Sequence, residues 1–361
     1  MEIIQIVASL PPVTGGVADF SLLLAKELRD THQIHSRFVV GDPTWHGPQE
    51  IEGFSAEPTP HRTPGGLLEA LGDASEPALL QYVGYGYATR GCPFWLIDGL
   101  SQWRKMRDKW LIIIFHELWA FGPPWRSSFW THPYQKFLAK RLANAADHCH
   151  TTMNMYRQIL ERIAPRHHGR IQAMPVFSNV GEGATWMHVD ERKRQMVVFG
   201  RPIWRTKTYS QHSKELVDAC SALQIECIVD IGPPIEMKPN LPLPIIMMGK
   251  QSAEEISRVL AESTAGFVSY FDGYLAKSGI FAAYCAHGLL PIVARRNRSE
   301  LDGIRAGSEY LTASTLSDHI APTEMQAIAD RARAWYEKHS LARTATSLAS
   351  VLRNKSAACN C

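Results

Sequence analysis

Short runs of apolar and β-branched residues alternate along this chain with stretches of helical period, and the whole alternation happens twice. In the first series the runs fall at 3–7, 36–40, 79–83 and 111–115, with helical segments over 19–29 and near 94–106. Runs this short and this uniformly apolar read as parallel strands buried on both faces. Parallel neighbours need a crossover connection, so each series is a chain of βαβ units. The second series places strands at 196–199, 227–231, 245–248, 266–270 and 290–293, with helices over 212–223, 253–262 and 280–287. Two further helical segments, about 324–337 and 340–353, close the chain ahead of a frayed tail at 357–361.

The expected fold class is therefore α/β, with two Rossmann-like domains facing across a cleft onto which the carboxyl ends of both sheets open. A glycine-rich stretch at 181–185, ahead of the charged residues 190–194, is the natural linker. It sets domain boundaries of 1–185 and 186–335, with 336–361 as a closing helix and tail. At 361 residues and 45% hydrophobic, the chain is long enough for two cores.

Bulk charge and cysteine usage narrow the function. Net charge is +3 with no dense run of Lys and Arg, which argues against a nucleic-acid partner. The densest cluster, Arg295, Arg296 and Arg298, reads as a solvated loop. Seven cysteines without a Cys-x-x-Cys pair, among them Cys92, Cys149, Cys220, Cys227 and Cys285, fit a reducing cytoplasm. No apolar stretch reaches about 18 residues, and the first apolar run follows no positive region, so it reads as a core strand rather than a signal peptide. Membrane contact is accordingly expected to be peripheral, at the inner face. His148-Cys149-His150 does not make a metal site, because strand geometry sends Cys149 to the face opposite both histidines. A dinucleotide fingerprint, a P-loop, a Gly-x-Ser-x-Gly elbow and an Asp-x-Asp clamp are all missing.

Four motifs follow strands, where ligands of such sheets bind. After the first strand, Gly15 and Gly16 precede a helix with Asp19 as its expected N-cap, and a glycine pair there lets a phosphate or sugar approach the backbone. Tight-turn glycines are the alternative. After 111–115 come His116, Glu117 and Trp119, an imidazole and a carboxylate suited to sugar hydroxyls. Behind 196–199 stand Arg201 and Lys207, a guanidinium fork and a point charge that can converge on one dianion. Finally Lys277-Ser278-Gly279-Ile280-Phe281 opens a helix whose orphan N–H groups suit a phosphate or diphosphate. The aromatic residues Trp119, Phe121, Trp125, Phe129 and Trp130 with Arg126 read as an acceptor platform, a membrane-leaning surface or core.

In their order and spacing these motifs resemble GT-B glycosyltransferases, and family 4 most of all. The resemblance runs over almost the whole chain, through 12–20, Phe199-Gly200-Arg201 with Lys207, 248–256, 277–281 and His287-Gly288. It implies retaining, metal-independent transfer of a hexosyl group from a UDP- or GDP-linked sugar, with no cofactor, to a glycan, lipid-linked or small-molecule acceptor, and final helices that cross back to the first domain. Arg201 and Lys207 match the pair that grips the diphosphate, Gly16 the loop beside it, and His116 the histidine near the transferred sugar. Lys277 through Phe281 match the holder of the distal phosphate and sugar, and Gly249 and Lys250 lie where the family meets the base. Asp19, Glu117 and Trp119 fall on the acceptor side. Where the family carries two glutamates with seven residues between them, this chain has Leu275 and Ala283. Asp272, or Lys277 with Ser278, is left for the first role. A non-catalytic sugar-nucleotide or glycan-binding subunit, a sugar-nucleotide epimerase and a phosphorylase are the competing readings.

Overall fold

The computed structural model describes residues 1–13, 15–73, 75–106, 109–183, 187–271, 273–295, 300–316 and 320–358. By its internal contacts the chain divides into two compact units, Met1–Met174 with Leu341–Cys361, and Pro175–Ser340. Residues 184 and 185 of the expected linker lie outside the described residues.

The first unit runs β1 (Glu2–Val7), α1 (Gly16–His32), β2 (His35–Val40), β3 (Glu50–Ile51), β4 (Phe54–Pro58), α2 (Pro64–Leu71), β5 (Ala78–Tyr82), α3 (Gly84–Tyr87), α4 (Phe94–Trp103), β6 (Leu111–Phe115), α5 (Ser127–Ala145), β7 (His148–Thr151), α6 (Asn154–Ile163) and β8 (Gln172–Ala173). Its sheet has the order β3-β4-β2-β1-β5-β6-β7-β8, parallel throughout except for β3 against β4. Every side chain of β5 and β6 is buried, which is why those segments show no polar–apolar alternation and are apolar apart from Gln81. Helix α1 begins three residues ahead of the expected N-cap. Gly15 caps it, and the Asp19 N–H donates to the Gly15 carbonyl at 3.0 Å, so Asp19 sits in the first turn with its carboxylate near the positive helix end.

The second unit follows as β9 (Lys193–Phe199), α7 (Pro202–Gln211), α8 (Ser213–Ala222), β10 (Cys227–Ile231), β11 (Ile245–Gly249), α9 (Ala253–Glu262), β12 (Ser263–Val268), α10 (Gly279–Ala286), β13 (Leu290–Val293), β14 (Leu311–Thr312) and α11 (Pro322–Glu337). All six strands are parallel, in the order β11-β10-β9-β12-β13-β14. Of the two closing helices, α11 packs on α10 and β13 inside this unit. Only α12 (Leu341–Ala358) belongs to the first unit, where it lies on α1. Ala345, Leu348, Ala349 and Leu352 form its buried stripe, and Arg353 donates to the His32 carbonyl at 3.0 Å. Among the described residues no helix is long and apolar enough to cross a membrane.

One strand carries a titratable group deep in the core. His150 on β7 is buried with neither ring nitrogen hydrogen-bonded among the described residues, and desolvation lowers its pKa to about 4. The folded protein therefore binds fewer protons than the unfolded chain between pH 6.5 and 4, and stability must fall as pH falls through that window. We expect His150→Leu to flatten the stability curve between about pH 6.5 and 4, removing on the order of 3 kcal/mol of acid sensitivity. Urea unfolding at several pH values reads this directly, and equal slopes in both proteins would refute it.

Candidate active site

Numbered within its own unit, the second sheet has the order 3-2-1-4-5-6, and the chain reverses its direction of growth between β9 and β12. Helices leave opposite faces on either side of such a reversal, which opens a crevice at the carboxyl ends of those two strands. Residue 200 follows β9 and residue 269 follows β12, so both charged motifs of this unit start there.

Glycine is required at the crevice for packing. Gly200 has φ +123°, and a Cβ on it would stand 2.6 Å from Ile280 Cδ1, so the loop after β9 and the first turn of α10 touch across the reversal. Gly232, φ +149°, has no room for a Cβ against the Gly200 carbonyl. Its N–H donates to Gly249 at 2.9 Å, while the Gly200 N–H donates to Ile231 at 3.0 Å, which ties the ends of β9, β10 and β11 together. With strands about 4.8 Å apart, Gly249 and the exposed Lys250 lie roughly 10 Å along this edge from Gly200.

Beneath these loops α7 is anchored by a buried ion pair. Arg205 and Asp230 are 1% and 0% exposed, with Nη2 on Oδ1 and Nε on Oδ2 at 3.0 Å. The Tyr209 hydroxyl donates to the same carboxylate at 2.7 Å, and Arg205 also donates to the Pro233 carbonyl. Burial and the neighbouring carboxylate hold the Tyr209 phenol well above its usual pKa. Arg205 is thus a structural cation, whereas Arg201, the N-cap of α7, is exposed and Lys207 is half-buried.

Lys207 and Lys277 both rest on aromatic rings. Lys207 Nζ lies 5.6 Å from the Trp204 centroid and 5.4 Å from that of Phe271, and Lys277 Nζ lies 5.6 Å from Tyr274. Trp204 contacts Phe271 at 5.1 Å, and Phe271 contacts Tyr274 at 6.5 Å, so one ring cluster joins the two lysines. Ser278 caps α10, its Oγ accepting from the Phe281 N–H at 3.2 Å. The Phe281 side chain is fully buried against Tyr310 and Trp335, which leaves Gly279 and Ile280 to present the helix-end N–H groups. Leu275 and Ala283, where the resemblance expects glutamates, are both buried. Asp272 lies outside the described residues.

In the first unit the sheet reverses in the same way between β1 and β5. Gly15 is extended at φ −171°, and an added Cβ on Gly15 or Gly16 meets nothing within 4 Å. Packing requires glycine at neither position, which leaves open space at the start of α1. The loop before them is braced by Trp45, whose Nε1 donates to the carbonyls of Leu10 at 3.0 Å and Pro11 at 3.1 Å. His116 is buried at the end of β6, with Nε2 on Gln81 Oε1 at 2.8 Å and its ring 4.9 Å from Phe20 of α1. Gln81 Nε2 donates to Gln5 Oε1 at 3.3 Å and Gln5 Nε2 to Ser36 Oγ at 2.9 Å, making a polar row across β5, β1 and β2. With the amides so turned, Gln81 Oε1 faces His116 Nε2 as an acceptor. Asp19, Glu117 and Trp119 are half-buried nearby in the chain, the Trp119 ring edge-on to His132 at 5.7 Å. Trp45, Gln81, Asp230 and the Trp204–Phe271–Tyr274 cluster carry no motif, and only their burial and packing reveal them.

No protein-family model and no curated protein sequence matches the chain. Among solved structures, TarM is similar with a TM-score of 0.63 at 10% identity, over 98% of each chain. A glycosyltransferase from Rickettsia africae ESF-5 is similar with a TM-score of 0.62 at 12% identity, also over 98% of each chain. An alpha-glucosyltransferase in complex with UDP and a 13-mer DNA containing a HMU base is similar with a TM-score of 0.57 at 9% identity, over 98% of this chain and 99% of that one. The fold is that of the GT-B proteins.

Asp230→Asn removes the charge that neutralises a buried guanidinium, and we expect it to cost about 3–5 kcal/mol of unfolding free energy. Substituting Ile203, 67% exposed on the same helix, by Ala should change stability by less than about 0.5 kcal/mol. Urea titration of both variants tests the anchor, which fails if Asp230→Asn unfolds at the wild-type midpoint.

Proposed function

We propose that this protein is a glycosyltransferase that moves a sugar from a nucleotide-diphosphate sugar to a glycan, lipid-linked or small-molecule acceptor, with retention and without a metal. The observation that carries the reading is the reversal point of the second sheet. Arg201 at the N-cap of α7, Lys207 in the second turn of that helix, Lys277 and the first turn of α10 all follow the carboxyl ends of β9 and β12. The fold shared with a UDP-bound alpha-glucosyltransferase supports it and makes a UDP-linked sugar the first donor to try.

Breaking the anomeric bond leaves negative charge on the departing diphosphate and positive character on the sugar. In this reading the Arg201 fork and the Lys207 ammonium take the diphosphate, and the N–H groups of Gly279 and Ile280 take its distal phosphate. Gly249 and Lys250 meet the base, and Gly15 and Gly16 leave room for the phosphates. His116, with Gln81 holding its Nε2, hydrogen-bonds a sugar hydroxyl, while Lys277 or Asp272 supports the reacting sugar. Asp19, Glu117 and Trp119 serve the acceptor, and peripheral contact with a membrane brings a lipid-linked acceptor within reach.

A second reading has one observation of its own. Leu275 and Ala283 put apolar, buried groups where paired carboxylates would stand, which favours a subunit that binds a sugar nucleotide without turning it over.

Arg201→Ala and Lys207→Ala should each lower donor turnover at least tenfold, about 1.4 kcal/mol of lost transition-state stabilisation, with unchanged circular dichroism. Donor hydrolysis and transfer over a panel of sugar nucleotides measure it. Wild-type rates in both variants would remove the diphosphate assignment, and calorimetric binding with no turnover would establish the binding subunit instead.

A further inference from the structure

Helix α5 shows aromatic rings where a surface helix shows polar residues. Trp130, Tyr134, Phe137 and Arg141 recur at near-helical spacing, while Gln135, Leu138, Ala139, Leu142 and Ala143 form the buried face. Trp130 is 67% exposed, and in the approach to the helix Phe121 and Trp125 are 70% and 84% exposed. Phe94 of α4 adds a ring edge-on to Tyr134 at 6.4 Å. Large apolar surface gathered in one place on a folded domain marks an interaction site rather than chance exposure.

Charge says what kind of partner fits. From Leu118 to Ala146 the chain has no Asp or Glu, while Arg126, Lys136, Lys140 and Arg141 lie within it. The aromatic stripe runs into a groove of about 550 Å³ lined by Phe137 and by five cations, Arg104, Lys105, Lys140, Arg141 and Arg166, with no carboxylate in the lining. Arg104 pairs with Asp147 and Arg141 with Asp98, whereas Lys105, Lys140 and Arg166 have no carboxylate partner among the described residues. The Arg141 guanidinium lies 5.7 Å over the Phe137 ring, which makes stripe and groove continuous.

We propose that α5 and the residues leading into it form a membrane-docking face for a bilayer of anionic phospholipid, with Trp125, Trp130 and Tyr134 entering the interface and the cationic groove receiving a lipid phosphate. Tryptophan and tyrosine favour that depth because one end of the ring is apolar and the other polar. A helix about 28 Å long can lie flat on the surface with its rings down and its cations at the headgroups. This makes definite the membrane contact in the function proposed above and depends on none of its donor chemistry.

The test uses the full chain and vesicles without any sugar nucleotide, so its failure leaves the transferase reading untouched. Flotation with phosphatidylcholine vesicles, and with vesicles containing about 30% phosphatidylglycerol, should show binding to the second kind only, weakened by added salt. Trp125→Ser with Trp130→Ser, and separately Lys105→Glu with Lys140→Glu, should each lower partitioning at least about tenfold while the thermal midpoint stays put. No binding to either vesicle, equal binding to both, or unchanged binding in both double variants would overturn the proposal. So would a dimer in sedimentation equilibrium that the tryptophan variant dissolves while vesicles remain unbound, because the face would then join two copies of this chain.

Discussion

In each unit the chain builds the sheet outward from one strand, β1 or β9, in one direction and then crosses back to build from its other neighbour, β5 or β12, in the opposite direction. Parallel strands cannot be joined by tight turns, and their crossovers are right-handed. Reversing the direction of growth therefore moves the helices to the other face. The two sets of loops part at the carboxyl edge, and backbone N–H groups and side chains there are left facing a gap. Everything assigned to donor chemistry lies on that edge, and the opposite edge of either sheet carries none of it.

Both units support this edge with buried polar groups of different kinds. In the second, Asp230 on β10 holds Arg205 and Tyr209 of α7, which fixes the helix whose start carries Arg201. In the first, the row Ser36, Gln5 and Gln81 crosses β2, β1 and β5 with uncharged groups and ends on His116, just past β6. Burying an ion pair costs desolvation, whereas neutral amides are satisfied more cheaply. The charged anchor stands beneath the loops that would meet an anion, and the amide row ends on an imidazole whose Nε2 it holds. An amide chain is suited to that task because each carbonyl and each N–H has a fixed direction.

Much of this was legible in the sequence, for a physical reason. Strands buried on both faces are predominantly apolar runs, so 111–115 and 290–293 match the observed strands residue for residue, and so does 227–231 although Asp230 interrupts it. Helix α5 was not legible: with rings outside and leucines and alanines inside, its apolar residues fall on both faces among polar ones and show no amphipathic period. Helix α7 was missed because it buries Arg205 and Thr208 where a periodic pattern would show leucines. The charged motifs stood out because they follow strands, but nothing in the chain separates Arg205, which is structural, from Arg201 four residues earlier. The ring cluster joins Trp204 to Phe271, residues far apart in sequence, and only packing could bring them together.

That cluster bears on how the crevice would treat a charge that appears during reaction. A lysine ammonium on a four-carbon stem in water is mobile and strongly hydrated, and it must be reorganised whenever a new anion forms. Resting over rings that also pack on one another, Lys207 and Lys277 have their stems and positions narrowed by aromatic faces that attract a cation without neutralising it. The helix-end N–H groups of α10 are fixed by the backbone itself. Preorganised positive charge of this kind stabilises a developing anion most, because none of the stabilisation is lost to reorienting the donors. In the proposed reaction Trp204, Phe271 and Tyr274 would act on the chemistry through the lysines. Truncating a ring would leave every cation in the chain and change only where its charge is held.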